Sequence, residues 1–179
     1  MTATGKTYGD ALYDLAAEEA LCDELLEQVK LLARLFRENP QYPALLASPD
    51  IPREERLHLI EEALTGQVHP YLVNFLCLLC ERGRLPAFAD CAAHYEQRWL
   101  EDHNTVRGRV SSAVPLTETQ LTALAARMGE TLGKHVLLEG IVSPSLIGGI
   151  RVEIDGRVWD GSLRGRLEEL SGLLRGAVL

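Results

Sequence analysis

The side chains whose types and spacing could do chemistry are four cysteines and a histidine: Cys22, Cys77, Cys80, Cys91 and His94. The order Cys77-x2-Cys80-x10-Cys91-x2-His94 resembles a zinc site, because thiolates and an imidazole paired at such spacings can close a tetrahedron. The context argues against it. Cys77 and Cys80 fall in FLCLLCERGR, a stretch predicted to be helical whose apolar residues demand burial, and Cys91 and His94 fall on another predicted helix. Structural zinc pairs usually sit on tight turns that aim both sulfurs at the metal. The expectation is buried free thiols acting as small hydrophobes, with no metal.

Phosphate chemistry has two candidate stretches. Gly148-Gly149 is followed by strand residues, with no G-x-G-x-x-G and no lysine-hydroxyl pair after it, and the pair is expected to lie in that strand, where missing side chains permit a bulge or a close backbone approach. GETLGKH, Gly129 to His135, is one residue short of a P-loop, has His where Ser or Thr is needed, and closes a predicted helix, the wrong dipole end for an anion. No G-x-S-x-G elbow and no H-E-x-x-H occurs. Glu54-Glu55, Glu61-Glu62 and Glu168-Glu169 lie beside bases on predicted helices, the pattern of a solvated face. Without a catalytic constellation or cofactor motif, a binding or structural protein is expected.

The elements that carry these residues form two sets. Apolar residues at helical spacing predict helices at about 6–20 (Tyr8, Ala11, Leu12 and Leu15 on one face), 21–38 (Leu25, Val29, Leu32, Phe36), a short piece at 44–47, then 53–64, 70–82 and 86–101. Asp50 is the expected cap of the fourth. Pro40, Pro70, Gly66 and Gly83 punctuate them. Short amphipathic helices cannot bury their stripes singly, so a bundle is expected. After Asp102-His103-Asn104 the period changes. Val106, Gly108, Val110, Ser112 and Val114 alternate as a strand, Thr117-x-x-Gln120 is a capping box for a helix closed by Gly133, and HVLLEGIV is a second strand. Asp155-Gly156 is a hairpin signal that places Val152 and Trp159 on one face, and Asp160 or Ser162 can cap a final helix striped by Leu163, Leu167, Leu170 and Leu174. The predicted order is β-α-β-β-β-α. The fold class expected is mainly α, with a helical bundle over residues 1–104 and a small α/β domain over 105–179.

The chain has 179 residues, enough to bury roughly 70% of its unfolded surface. With 46% hydrophobic and 25% charged residues it is globular in composition, and neither a signal peptide nor a membrane span is expected. The net charge of −8 is uneven: residues 1–104 carry 18 acids and 9 bases, residues 105–179 carry 8 acids and 9 bases. Such acidity repels nucleic acid and anionic lipid and suits a basic protein partner, although a solvated face that aids solubility has the same composition.

YGDALYDLA, then LLASPDI, ERGRL, RVSSAVPLTETQL and finally VSPSLIGGIRVEIDGRVWDGSLRGRLEEL, in that order, resemble the delta subunit family of the F-type ATP synthase, whose mitochondrial counterpart is the oligomycin-sensitivity-conferring protein. The resemblance covers nearly the whole chain, and the segment around Gly148, Gly149, Asp160 and Ser162 is its most specific part. It implies a bundle of six helices and a smaller α/β domain, no catalysis and no cofactor. The bundle would hold the N-terminal segment of an alpha subunit in a groove between the first and fifth helices, which points to Ala11, Leu12 and Leu15 with Leu72, Phe75 and Leu76. The second domain would engage the C-terminal ends of the b subunits. One copy would join catalytic head to peripheral stalk on the cytoplasmic side of a bacterial cell membrane, membrane-associated only through the complex and contacting no nucleic acid. Two departures are visible: Ser143 stands where the family usually has Asp, and Pro52 where a capping Ser or Thr is frequent. A free soluble enzyme or regulator is the alternative, and it lacks convergent polar groups.

Overall fold

The computed structural model describes residues 2–48, 50–146 and 148–162. The chain is mostly helical, with a small four-stranded sheet toward its C-terminal end, and it divides into two compact units, Met1–Trp99 and Leu100–Leu179.

In the first unit α1 spans Ala3–Glu18, α2 Cys22–Glu38, α3 Gln41–Ala47, α4 Arg53–Leu64 and α5 Pro70–Glu81, and a single 3-10 turn at Leu85–Ala87 leads into α6, Phe88–Asp102. Glycines in the left-handed region end two of these helices where expected: Gly66 (φ +80°) follows α4, and Gly83 (φ +62°) follows α5. One cap differs. Pro52 occupies the N-cap of α4 without a side-chain bond, and Asp50 instead closes a local turn, its carboxylate accepting from the Ser48 hydroxyl at 3.2 Å. The expected stripe of α1 is also rotated. Gly5, Gly9, Leu12, Tyr13 and Ala16 face inward, while Ala11 and Leu15 are exposed. Leu25, Val29 and Leu32 of α2, Leu72, Phe75, Leu76 and Leu79 of α5, and Phe88, Cys91 and Tyr95 of α6 complete one apolar core.

In the second unit β1 spans Thr105–Ser112, α7 Glu118–Leu132, β2 His135–Val142, β3 Ile150–Ile154 and β4 Arg157–Asp160. The sheet order is β2-β1-β3-β4, with β1 parallel to β2 across the α7 crossover and the remaining pairs antiparallel. Val106, Gly108, Val110 and Ser112 are buried on one face as their alternation requires, but β1 ends at Ser112 and Val114 is 66% exposed. The Thr117–Gln120 capping box opens α7, and Gly133 (φ +66°) closes it. Val152 is paired with Trp159 across the β3–β4 hairpin. The expected final helix, with Leu163, Leu167, Leu170 and Leu174, lies outside the described residues.

Candidate partner-binding surfaces

The first surface is built by the way α1 is pinned. Thr2 caps it, its hydroxyl accepting from the Gly5 amide at 3.1 Å, while the Thr2 amide donates to Asp90 of α6 at 2.9 Å. Hydrogen bonds to Asp90 from the Thr2 side chain and from its amide hold the Asp90 carboxyl below the usual carboxylate range. Gly5 and Gly9, one turn apart, let the α1 backbone lie against α6. A Cβ at Gly9 would sit 2.7 Å from the Cys91 carbonyl oxygen, and one at Gly5 would overlap the Asp90 side chain. Tyr13 meets Tyr95 edge to face at 5.1 Å, and Arg98 lies 5.2 Å over the Tyr13 ring while pairing with Asp14 at 3.1 Å. With its glycines and Tyr13 inward, α1 turns Ala11 and Leu15 outward and leaves Tyr8 half-buried between them and the core.

On α5, Pro70 sits in the first turn, the His69 ring accepts from the Tyr71 amide at 3.3 Å, and the His69 amide donates to Gln28 of α2 at 2.7 Å. The helix is brought beside α1 by an edge contact of Tyr8 on Phe75, 6.4 Å between centroids. Among the sequence-selected residues, Ala11 and Leu15 are therefore exposed, Phe75 sits beneath Tyr8 at 7% exposure, and Leu12, Leu72 and Leu76 belong to the core. Tyr71, Asn74 and Leu78 stand at i, i+3 and i+7 on α5, half-buried or exposed, as do Tyr8, Ala11 and Leu15 on α1. The α5 residues and Tyr8 were not selected as site residues; the periodicity that finds them is the second stripe of each helix, offset from the buried one.

The second surface belongs to the sheet unit. The face of the sheet carrying α7 is apolar, while on the other face Arg109 lies in register between Glu139 and Glu153, and Arg151 is opposite Asp160. That face holds a shallow hollow of about 670 Å³, with Leu137 exposed at its edge. The glycine-rich segment shapes the neighbouring corner. Gly148 and Gly149 form a bend before β3 and lie outside the strand, so the expectation that they sit within it is corrected. Gly149 (φ +81°) must lack a side chain, because a Cβ there would collide with the Gly161 carbonyl oxygen and come within 2.8 Å of the Ser162 Cα. Across the same corner the Gly161 amide donates to the Ile150 carbonyl at 2.9 Å, and the Ser162 amide to the Asp160 carboxylate at 2.9 Å. Hydrogen bonds from Ser162 hold the Asp160 carboxyl low, and Ser162 itself is buried. Asp155 and Gly156 both take positive φ in the hairpin turn. In the loop before the bend the Ser143 and Ser145 hydroxyls lie 2.8 Å apart, so Ser143 keeps a loop hydrogen bond without the carboxylate usual in the family it resembles.

The thiols are placed for packing. Cys80 and Cys91 are buried, Cys22 and Cys77 half-buried, and the Cys80 thiol donates to the Leu46 carbonyl at 3.5 Å. Burial pushes the Cys77, Cys80 and Cys91 thiols up, Cys91 to about 11, so they are held as neutral thiols. Among the described residues no group of three His, Cys, Asp or Glu side chains is arranged to hold a metal, and no helix is long and apolar enough to cross a membrane.

The family model described as ATP synthase delta (OSCP) subunit matches residues 4–174. The chain is 36% identical over 172 residues to the ATP synthase subunit delta of Geobacillus sp. (strain WCH70), covering 96% of both chains. It is 35% identical over 168 residues to the ATP synthase subunit delta of Myxococcus xanthus (strain DK1622), covering 92% of each. Its fold matches a chain in the cryo-EM structure of the Toxoplasma gondii mitochondrial ATP synthase hexamer with a TM-score of 0.66 over 97% of this chain and 98% of that one, at 16% identity. The chain belongs to the ATP synthase delta (OSCP) subunit family.

Proposed function

We propose that this chain is the non-catalytic stator subunit of an F-type proton-translocating ATP synthase, linking the catalytic head to the peripheral stalk so that rotation is coupled to ATP synthesis. A joint of this kind does no chemistry; it resists torque, which requires two separate gripping surfaces on one polypeptide. Residues 1–104 act as a six-helix bundle that seats the N-terminal segment of an alpha subunit on the α1–α5 face. Residues 105–179 act as the domain that takes the C-terminal ends of the b subunits. One copy serves each complex, on the cytoplasmic side of a bacterial cell membrane and attached to it only through its partners.

The observation that supports the first contact is the pair of stripes in which Ala11 and Leu15 on α1 and Leu78 on α5 are exposed and Tyr8 and Tyr71 half-buried, with Tyr8 against the Phe75 ring. A helix with apolar side chains at i, i+3 and i+7 matches such a surface. The test separates the chain after residue 104 and assays each part against synthase stripped of this subunit. The 1–104 part is expected to bind the head and the remainder the stalk, and Leu15→Glu is expected to abolish head binding while leaving the helical circular dichroism unchanged. Binding of neither part to any synthase component would refute the assignment.

A further inference from the structure

A second apolar groove runs between α2 and α6, distinct from the α1–α5 face. Its volume is about 710 Å³; Ala33 of α2 and Ala89, Ala92 and Ala93 of α6 line it, together with residues of α3 and of the 3-10 turn before α6. Phe36 and Phe88, edge to face at 5.4 Å, lie at its base. The small side chains of the α6 wall let a helix backbone approach that side toward the short end of the usual 8–10 Å or so between packed axes. A compact polar ligand would find few convergent donors or acceptors on such walls.

The charges on the groove are the reverse of the region around it. Three bases, Lys30, Arg34 and Arg37, and one acid, Glu96, line it, although residues 1–104 carry twice as many acids as bases. Lys30 is engaged, 3.0 Å from Glu27 and 3.6 Å from Glu96. Arg34 and Arg37, both exposed and one turn apart on the α2 rim, make no ion pair or hydrogen bond with another side chain among the described residues. We propose that this groove seats an amphipathic helix from another subunit of the synthase, with its apolar side on the alanine wall and acidic side chains against Arg34 and Arg37. The proposal rests on the stator reading and adds a second grip to the helical unit, one whose polarity is set by charge.

The test rebinds the full-length chain to synthase stripped of this subunit, at low and physiological salt, and compares it with the double variant Arg34→Glu/Arg37→Glu and with Ala89→Trp, which fills the groove without altering charge. Each variant is expected to rebind about tenfold more weakly or worse, with unchanged thermal melting, and the charge variant is expected to lose most of its salt dependence. A photo-reactive residue placed at Ala89 is expected to cross-link to an acidic helical segment of another subunit. Unchanged affinity of both variants, or a cross-link to a basic segment or to a second copy of this chain, overturns the groove proposal while leaving the stator reading intact. Failure of the unsubstituted chain to rebind overturns the stator reading and with it the proposal.

Discussion

The helical unit and the sheet unit are held together by different means. The first is dominated by large side chains: Tyr13, Tyr95, Phe88, Leu25, Leu72, Leu76 and Leu79 are each at most 2% exposed and form one cluster. Among the described residues the second buries five apolar β-branched side chains, Val106, Val110, Val136, Val152 and Ile154, and α7 adds half-buried side chains to them. Backbone features add to this among the described residues: a parallel crossover, a tight hairpin and the corner where Gly149 meets Gly161 and Ser162. The difference shows how each unit would present a partner surface. The helical unit, with its large buried core, leaves Ala11 and Leu15 of α1 and Leu78 of α5 exposed, whereas the described sheet carries alternating charge on the face away from α7.

The largest effect that would break this comparison lies in the helical core. Tyr95→Ala removes a side chain with no exposure and its hydroxyl bond to the Cys22 carbonyl at 3.1 Å. It is expected to cost about 3–5 kcal/mol, and hydrogen exchange should show the loss in residues 1–99 while the amides of β1–β4 keep their protection. The corresponding backbone test is Gly149→Ala. The left-handed conformation and the close approach to Gly161 together predict a cost of about 2–3 kcal/mol, read as lost protection in β3 and β4. Val110→Ala, at a fully buried position of β1, is expected to cost about 2 kcal/mol; a loss as large as that of Tyr95→Ala would show that the sheet unit depends on side-chain bulk as much as the helical one.

The smallest effect is alkaline. The Cys91 thiol, ordinarily near 9.0, is pushed by burial to about 11, and burial raises the Tyr95 phenol as well. Both groups are favoured neutral in the folded state. The stability they lend is complete below the unfolded pKa and is lost as pH rises through the folded one, because the unfolded chain then releases its protons first. Urea titrations from pH 8 to 11 should therefore show the helical unit weakening, and Cys91→Ala should flatten that slope without changing the sheet unit.

Legibility followed the strength of local signals. Glycine and proline punctuation marked the ends of α4 and α5, Thr117 and Gln120 marked the start of α7, and Asp155-Gly156 located the hairpin with Val152 and Trp159 on one face. The face of α1 was harder to read because it is set by residues without a hydrophobic signature. Gly5 and Gly9 are buried through what α6 needs them not to carry, and the capping residue Thr2 is tied by its amide to Asp90, 88 positions away. For the same reason the selected groove residues mix core positions, Leu12, Leu72 and Leu76, with exposed ones, Ala11 and Leu15. Gly149 was legible as shape-determining backbone, but what it packs against, Gly161 and Ser162 after β4, lies a dozen residues on and leaves no periodic mark.

The stator assignment is tested most directly by coupling. Synthase stripped of this subunit is supplied with either the intact chain or an equimolar mixture of residues 1–104 and 105–179, and ATP-driven proton pumping into vesicles is recorded. The intact chain is predicted to restore pumping, while the unlinked parts bind but leave it uncoupled, because torque can be resisted only through a continuous joint. Full pumping with the unlinked parts, or none with the intact chain, would contradict the assignment.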